Sequence, residues 1–306
     1  MKAKKKLWLK IISSIVGAIL VLVLGIAAYL SISIRNAFRD IDTETVTDTP
    51  LKIDTYGDPQ NPSMLMIHGM YMDGSSLEAE ITELKQDYYL IVPTNHGSDG
   101  ATETTFDSFD SECADMEDYI QENLDGHLDY AYGISMGATT LYNLLQRNNI
   151  EIGTAILDGL YVAHQGKFAA YFTAKMMYPM QQAVSRGEDF EVPSMMKMSA
   201  EQMGYDKNNA KSMYEHTFTT TPITYRNMLR IAYANYTYEI DPSVTIDHTK
   251  VYLWCGSREP YALQSNEIVK PQIKQYEEKV FDGYAHAELV MSHAEECVKE
   301  IRAVAK

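Results

Sequence analysis

Residues 129–145 read "DYAYGISMGATTLYNLL". In this stretch Ser135 lies between Gly133 and Gly137, after an apolar run typical of a buried strand and before spacing typical of a helix. A serine at such a tight strand-to-helix turn has a strained backbone, and its hydroxyl projects from the end of the sheet. The two glycines remove side chains that would collide where strand and helix approach each other. The stretch therefore predicts a nucleophilic Ser135, with the N–H of Met136 directed at a developing negative charge.

Strand and helix patterns alternate on both sides of this motif. Continuous apolar runs that suit strands buried on both faces occur at residues 63–69, 151–159 and 250–257. Alternation of this kind is typical of a parallel sheet built from right-handed crossovers. We therefore predict an α/β fold with a mostly parallel central sheet flanked by helices, formed by residues 50–160 and 246–306.

Residues 161–245 interrupt the alternation. They show helical spacing without a clear strand pattern, and they contain nine of the 17 methionines. We expect a helical cap inserted between two late strands, over the strand ends where α/β sheets place their sites. Methionine is flexible and suits surfaces that accommodate varied apolar shapes. The methionines either form such a surface or simply fill contacts beneath the insertion, and the sequence leaves both interpretations open.

The N-terminus reads as a membrane segment. Residues 1–10 are lysine-rich, and residues 11–34 contain no charged side chain. Because a bilayer-spanning helix needs about 20 apolar residues, we predict a transmembrane anchor at 11–34 and a polar linker at 35–49. The excess of lysine before the anchor predicts a cytoplasmic N-terminus and an extracytoplasmic catalytic domain. The alternative is a cleaved signal peptide and a secreted protein.

The charge balance bears on the possible partners. The chain has 26 basic and 42 acidic residues, and residues 41–306 alone carry a net charge of −22. Such a surface repels phosphate backbones, so we expect no nucleic-acid partner. The three cysteines are widely scattered and lack metal-ligand spacing. The sequence therefore suggests neither a metal nor an organic cofactor.

Five short stretches together resemble a known family. They are "LMIHGM", "PTNHGSDG", "GISMG", "LWCGSREP" and "GYAHAE", and they follow one another in the order of that family. Over residues 50–305 the sequence resembles serine hydrolases of the α/β-hydrolase fold. The resemblance is to the lid-bearing group that includes carboxylesterases, monoglyceride lipase-like enzymes and related peptidases.

The resemblance implies further site residues. His286, on a loop after the last strand, would be the catalytic base. Glu259 matches the family's Gly-x-x-acid spacing from Gly256 and would orient the histidine, although aspartate is commoner there. Asp158, at the end of an earlier strand, is an alternative position for the acid within the superfamily. The residue after the His-Gly pair supplies the second oxyanion N–H in the family, which here indicates Met70.

The implied function is two-step acyl transfer that hydrolyses a carboxylic ester, with no metal and no organic cofactor. The membrane segment and the methionine-rich insertion favour a small-molecule substrate with an apolar acyl chain. Three alternatives remain open at this point: an acyltransferase, a peptidase with the same catalytic residues, and a non-catalytic anchored binding protein.

Overall fold

The N-terminal unit is a single long helix, α1 (Lys2–Asp42), in the computed structural model, which describes residues 2–42, 49–100 and 104–306. The chain divides into two compact units, Met1–Thr45 and Val46–Lys306. Within α1, Ser14–Arg39 is long and apolar enough to cross a membrane, a test that a signal sequence also passes. Residues 35–42 are helical, although the sequence placed them in a linker. Residues 43–48 of that linker lie outside the described residues.

The second unit is organised around a sheet of seven strands among its described residues. They are β1 (Lys52–Tyr56), β2 (Ser63–Ile67), β3 (Tyr89–Thr94), β4 (His127–Ile134), β5 (Glu151–Asp158), β6 (Lys250–Gly256) and β7 (Tyr276–Phe281). The spatial order is β1-β3-β2-β4-β5-β6-β7. Only β1 runs antiparallel to its neighbour, β3, while every other adjacent pair is parallel. The carboxyl ends of β2 and of β4 to β7 therefore share one edge of the sheet.

Helices cover both faces of this sheet. The α-helices of this unit, some of which lie in the insertion between β5 and β6, are α2 (Glu78–Leu84), α3 (Phe109–Leu124), α4 (Met136–Arg147), α5 (Gly166–Ser185), α6 (Ser194–Gln202), α7 (Ala210–Thr217), α8 (Tyr225–Thr237), α9 (Pro260–Val269), α10 (Glu288–Ser292) and α11 (Ala294–Val304). Met116 of α3 and Leu141 of α4 pack in the apolar cluster on one face. Ile81 of α2 and Ile301 of α11 pack in the cluster on the other face. Burial of these apolar stripes is the main force that holds the layers together.

Residues 161–245, hereafter the insertion, connect β5 to β6. The structure describes all of them, and they contain helices α5 to α8 and no strand. The helical spacing of apolar residues in 288–305 predicts a single amphipathic helix, but the structure has two helices there. The segment breaks at His293, whose φ of −134° and ψ of 46° separate α10 from α11. The imidazole there packs edge-on against the Tyr284 ring, with 4.9 Å between the ring centroids.

Candidate active site

Ser135 lies at the turn between β4 and α4. Its φ of 57° and ψ of −119° fall in a region that a β-carbon disfavours. The turn is held by its backbone N–H, which donates to the carbonyl oxygen of Asp158 at 2.8 Å. A serine at a helix start usually accepts a capping hydrogen bond from the first turn, but the Ser135 side chain makes none. Its hydroxyl lies instead 2.8 Å from Nε2 of His286.

The two glycines that flank this serine are required by close backbone approach. A β-carbon on Gly133 would overlap the carbonyl oxygen of Gly137, and one on Gly137 would overlap the carbonyl oxygen of Ile67. Both obstacles are backbone atoms, so no side-chain rotation could relieve them. The glycines thus let the start of α4 lie directly against β2 and β4.

His286 lies on the loop between β7 and α10, and the insertion holds its backbone on both sides. The N–H of His286 donates to the carbonyl oxygen of Met203 at 2.9 Å. The hydroxyl of Tyr205 donates to the carbonyl oxygen of His286 at 2.7 Å. The position of the imidazole therefore depends on the segment that follows α6 as well as on the sheet.

Glu259 lies immediately before α9, and its side chain is only 3% exposed. Its Oε2 lies 2.6 Å from Nδ1 of His286, and its Oε1 accepts the N–H of Gly256 at 2.5 Å. Both carboxylate oxygens therefore have a donor. Burial alone would lower the pKa of His286, but the charge and hydrogen bond of Glu259, with the charge of Asp158, raise it above its usual value.

Asp158, the alternative acid, is close to this arrangement but does not bond to the imidazole. Its Oδ2 accepts the hydroxyl of Tyr132 at 2.8 Å. Burial raises the pKa of Asp158 to about 7, the charge of Glu259 acts in the same direction, and the Tyr132 hydrogen bond opposes both. The structure thus brings Ser135, His286 and Glu259 into one hydrogen-bonded chain and leaves Asp158 beside it.

Met136 and Met70, the two residues expected to supply oxyanion N–H groups, both lie near Ser135. Met136 is the first residue of α4, and an N–H at that position has no acceptor within its helix. Met70 follows β2 and lines the same cavity as Ser135. The next residue, Tyr71, has a φ of 62°, and its hydroxyl donates to the carbonyl oxygen of Met228 in α8 at 2.8 Å. The Met70 loop is therefore tied to the insertion.

Two other histidines near the sheet edge have structural partners. Nδ1–H of His68 donates to the carbonyl oxygen of Gly69 at 2.8 Å, and its Nε2 accepts the N–H of Asn95 at 3.1 Å. His96 lies 2.7 Å from Glu112 through Nδ1. Both imidazoles hold loops in place, and neither contacts Ser135.

The cavity at Ser135 has two chambers, and both also reach His286 and Met70. The first, called here the methionine chamber, has a volume of about 80 Å³. Seven methionines line it: Met70, Met72, Met177, Met196, Met203, Met213 and Met291. Five of the seven come from the insertion or from α10, so the chamber is assembled from segments far apart in the sequence. The count of methionines in residues 161–245 was the one sequence signal that pointed to it.

The second chamber has a volume of about 150 Å³ and is called here the polar chamber. Its side chains other than the catalytic candidates are mostly hydroxyls and amides: Tyr161, Gln165, Thr173, Ser199, Gln202, Asn235, Tyr236 and Tyr261. Thr173, Ser199, Met203 and Tyr236 line both chambers. A molecule bound at Ser135 would therefore meet a wall rich in methionine in one chamber and more hydroxyl and amide groups in the other.

No protein-family model matches the sequence, and no curated protein matches it either. Solved structures do match. One described as an alpha/beta hydrolase family protein from Desulfitobacterium hafniense has a TM-score of 0.74 and 23% identity, and the match covers 83% of this chain and 100% of that one. MenH from S. aureus has a TM-score of 0.61 and 14% identity, with 84% and 97% covered.

An esterase from Exiguobacterium antarcticum has a TM-score of 0.60 and 16% identity, and the match covers 85% of this chain and 97% of that one. At these identities the likeness concerns the fold, and it confirms the fold class that the sequence predicted. What the site does must be argued from its own geometry.

Proposed function

We propose that this chain, which has the α/β-hydrolase fold, is a membrane-anchored serine hydrolase that cleaves carboxylic esters through Ser135, His286 and Glu259. The observation that carries the proposal is the hydrogen-bonded chain among these three side chains. The distances are 2.8 Å from Ser135 Oγ to His286 Nε2 and 2.6 Å from His286 Nδ1 to Glu259 Oε2. A nucleophile, a base and an orienting carboxylate in this order are what acyl transfer requires.

The first step is attack on the ester carbonyl. Glu259 accepts a hydrogen bond from Nδ1–H of His286, so Nε2 carries the lone pair that accepts the Ser135 proton. As Oγ bonds to the carbonyl carbon, the carbonyl oxygen becomes an oxyanion. The N–H groups of Met70 and Met136 stabilise that charge by hydrogen bonding.

The second half of the cycle returns the enzyme to its starting state. The His286 imidazolium protonates the leaving alcohol, and an acyl group remains on Ser135 Oγ. His286 then takes a proton from water, whose oxygen attacks the acyl carbon, and returns a proton to Oγ as the acid leaves. Every proton moves through His286, so the chemistry needs no group beyond these side chains and water.

The type of ester that we propose as substrate follows from the residues that line the cavity. The methionine chamber offers flexible apolar side chains that suit an acyl chain, since methionine adapts to the shape of its contacts. Several structural neighbours are themselves described as esterases. Both observations favour a small-molecule ester with an apolar acyl part as the substrate.

The proposed membrane anchor rests on α1. Its stretch Ser14–Arg39 has a mean hydropathy of 2.7, and lysines precede it in the sequence. Positive charge on the N-terminal side favours a cytoplasmic N-terminus, with the α/β unit on the opposite side of the membrane. Fractionation of cells, followed by protease treatment of intact spheroplasts, tests both the anchoring and the orientation.

Labelling with a fluorophosphonate probe tests the enzymatic proposal directly. The wild type should be labelled covalently at Ser135, because the probe needs a nucleophile with a base beside it. The Ser135→Ala variant should not be labelled, while Ser257→Ala, which changes a serine outside both chambers, should react like the wild type. An unlabelled wild type would instead support a non-catalytic binding protein.

A further inference from the structure

Asn235 is a buried polar residue that the catalytic proposal does not use. It lies in the last turn of α8, one turn after Ile231, on the stripe that α8 buries. Asn235 is only 7% exposed, and its Oδ1 has no hydrogen-bond partner in the protein. A buried amide oxygen without a partner is costly, so its retention needs an explanation.

The surroundings of Asn235 indicate a ligand. The residue lines the polar chamber, which also contains Ser135 and His286. Among the described residues, it alone combines an unpartnered buried side-chain atom with a place on that chamber's wall. Asn235 therefore borders the space that a molecule bound at Ser135 would fill.

The side chains around Asn235 are held in place by contacts with one another. Tyr161 packs edge-on against Tyr236 and against Tyr261, with 6.0 Å between ring centroids in each pair. The N–H of Gln165 donates to the carbonyl oxygen of Tyr236 at 2.8 Å. Interlocked rings of this kind restrict side-chain motion, so the amide is presented by a fixed surface.

We propose that Asn235 determines leaving-group specificity, with its Oδ1 accepting a hydrogen bond from a free hydroxyl on the alcohol part of the ester. This inference rests on the proposed esterase function. The methionine chamber suits the apolar acyl chain, which leaves the polar chamber for the alcohol. An amide oxygen can only accept, so the group it selects must be a donor.

The size of the effect follows from the cost of an unpaired buried group. With a hydroxyl-bearing alcohol, Oδ1 gains a partner, whereas with an apolar alcohol of the same size it stays unpaired. Sites built to bond a substrate hydroxyl discriminate strongly against analogues that lack it. We expect the hydroxylated ester to have a kcat/KM about tenfold or more higher.

The test compares 2-hydroxyethyl octanoate with n-propyl octanoate, which differ by a hydroxyl in place of a methyl. The ratio of kcat/KM values is divided by the ratio of their alkaline hydrolysis rates, which removes intrinsic reactivity. The wild type should keep a corrected ratio of about ten or more. Asn235→Leu should bring it close to one by slowing the hydroxylated ester, with propyl octanoate little affected. Asn123→Leu, an exposed change on α3, should behave like the wild type.

A corrected wild-type ratio near one would overturn the inference, and this result does not depend on any variant folding. The inference would also be overturned if Asn235→Leu kept the wild-type ratio. It would likewise be overturned if Asn235→Leu hydrolysed both esters more slowly by the same factor while the fluorophosphonate still labelled it. In each case hydrolysis of propyl octanoate and labelling of Ser135 would leave the esterase proposal standing. If neither ester is cleaved and the wild type is not labelled, the proposed function itself fails.

Discussion

Gly159 follows β5 directly and faces the pair formed by His286 and Glu259. We predict that Gly159→Ala reduces activity about a hundredfold while the protein stays folded. A β-carbon at this position would lie 2.9 Å from Cε1 and 3.0 Å from Nδ1 of His286, and 3.3 Å from Oε2 of Glu259. The substitution therefore places a methyl group closer to the imidazole and its carboxylate than normal contact allows.

The magnitude follows from ordinary contact distances. Carbon atoms pack at about 3.5–4.0 Å, so the imidazole would have to move by at least about 0.6 Å. A displacement of about 1 Å at a reacting group costs about 10²-fold in rate. The φ of 61° at Gly159 adds roughly 1–2 kcal/mol of lost stability, because a β-carbon is disfavoured there.

Gly187 supplies a matched control. Its φ is 65°, and a β-carbon there would have no heavy atom within 4 Å. Gly187→Ala should therefore lose a similar roughly 1–2 kcal/mol of stability and keep wild-type activity. Urea unfolding gives the stability of both variants, and hydrolysis of p-nitrophenyl butyrate gives kcat/KM. Activity of Gly159→Ala within about threefold of the wild type, or an equal loss in Gly187→Ala, would refute the reasoning.

Three other outcomes follow from the site. Glu259→Gln should lower kcat by about 10⁴-fold, because the imidazole loses its orienting carboxylate. Asp158→Asn should lower kcat by less than about tenfold. Equal losses in the two variants would contradict the assignment of Glu259 as the acid. The kcat/KM of the wild type should fall as pH decreases through a value above 6.5, because His286 must be neutral to accept the serine proton and its pKa is raised. In Asp158→Asn that acid limb should move to lower pH by only a small amount, because Asp158, whose pKa is raised to about 7, is already partly protonated there. Met177→Trp places a larger side chain in the methionine chamber and should shorten the preferred acyl chain. In a series of p-nitrophenyl esters, hydrolysis of the octanoate should be slowed about tenfold to a hundredfold and hydrolysis of the acetate should be unaffected.

The hydrogen-bonded chain could be predicted because each of its residues follows a recognisable strand. Ser135 comes after β4, Glu259 after β6 and His286 after β7. In a parallel sheet these carboxyl ends share one edge, which agrees with the roles that the family resemblance implied for His286 and Glu259. The choice between Glu259 and Asp158 needed coordinates, because both follow a strand at that same edge.

Helix boundaries were less accessible to sequence reasoning. The stretch 35–49 was assigned to a polar linker, yet residues 35–42 contain neither proline nor glycine and include Phe38 and Ile41, so their composition does not end a helix. The opposite error occurred at His293, where periodicity continues but the helix breaks beside Tyr284. Helix α9 was also missed, although Pro260 at its first position is a typical start signal.

The two chambers could not be predicted from the sequence for a different reason. Alternating strands and helices repeat a local pattern, whereas the methionine chamber is formed by side chains from the β2 loop, the insertion and α10. No short window of sequence contains that information, so the abundance of methionine could suggest an adaptable surface but not its location. Asn235 was closer to prediction, because a polar residue on the buried stripe of α8 departs from the binary pattern of an amphipathic helix. A polar residue on a buried helix face whose polar atom has no partner in the protein is a direct indication of substrate specificity. The catalytic residues determine the reaction, whereas the residues that line the cavity determine which ester is cleaved.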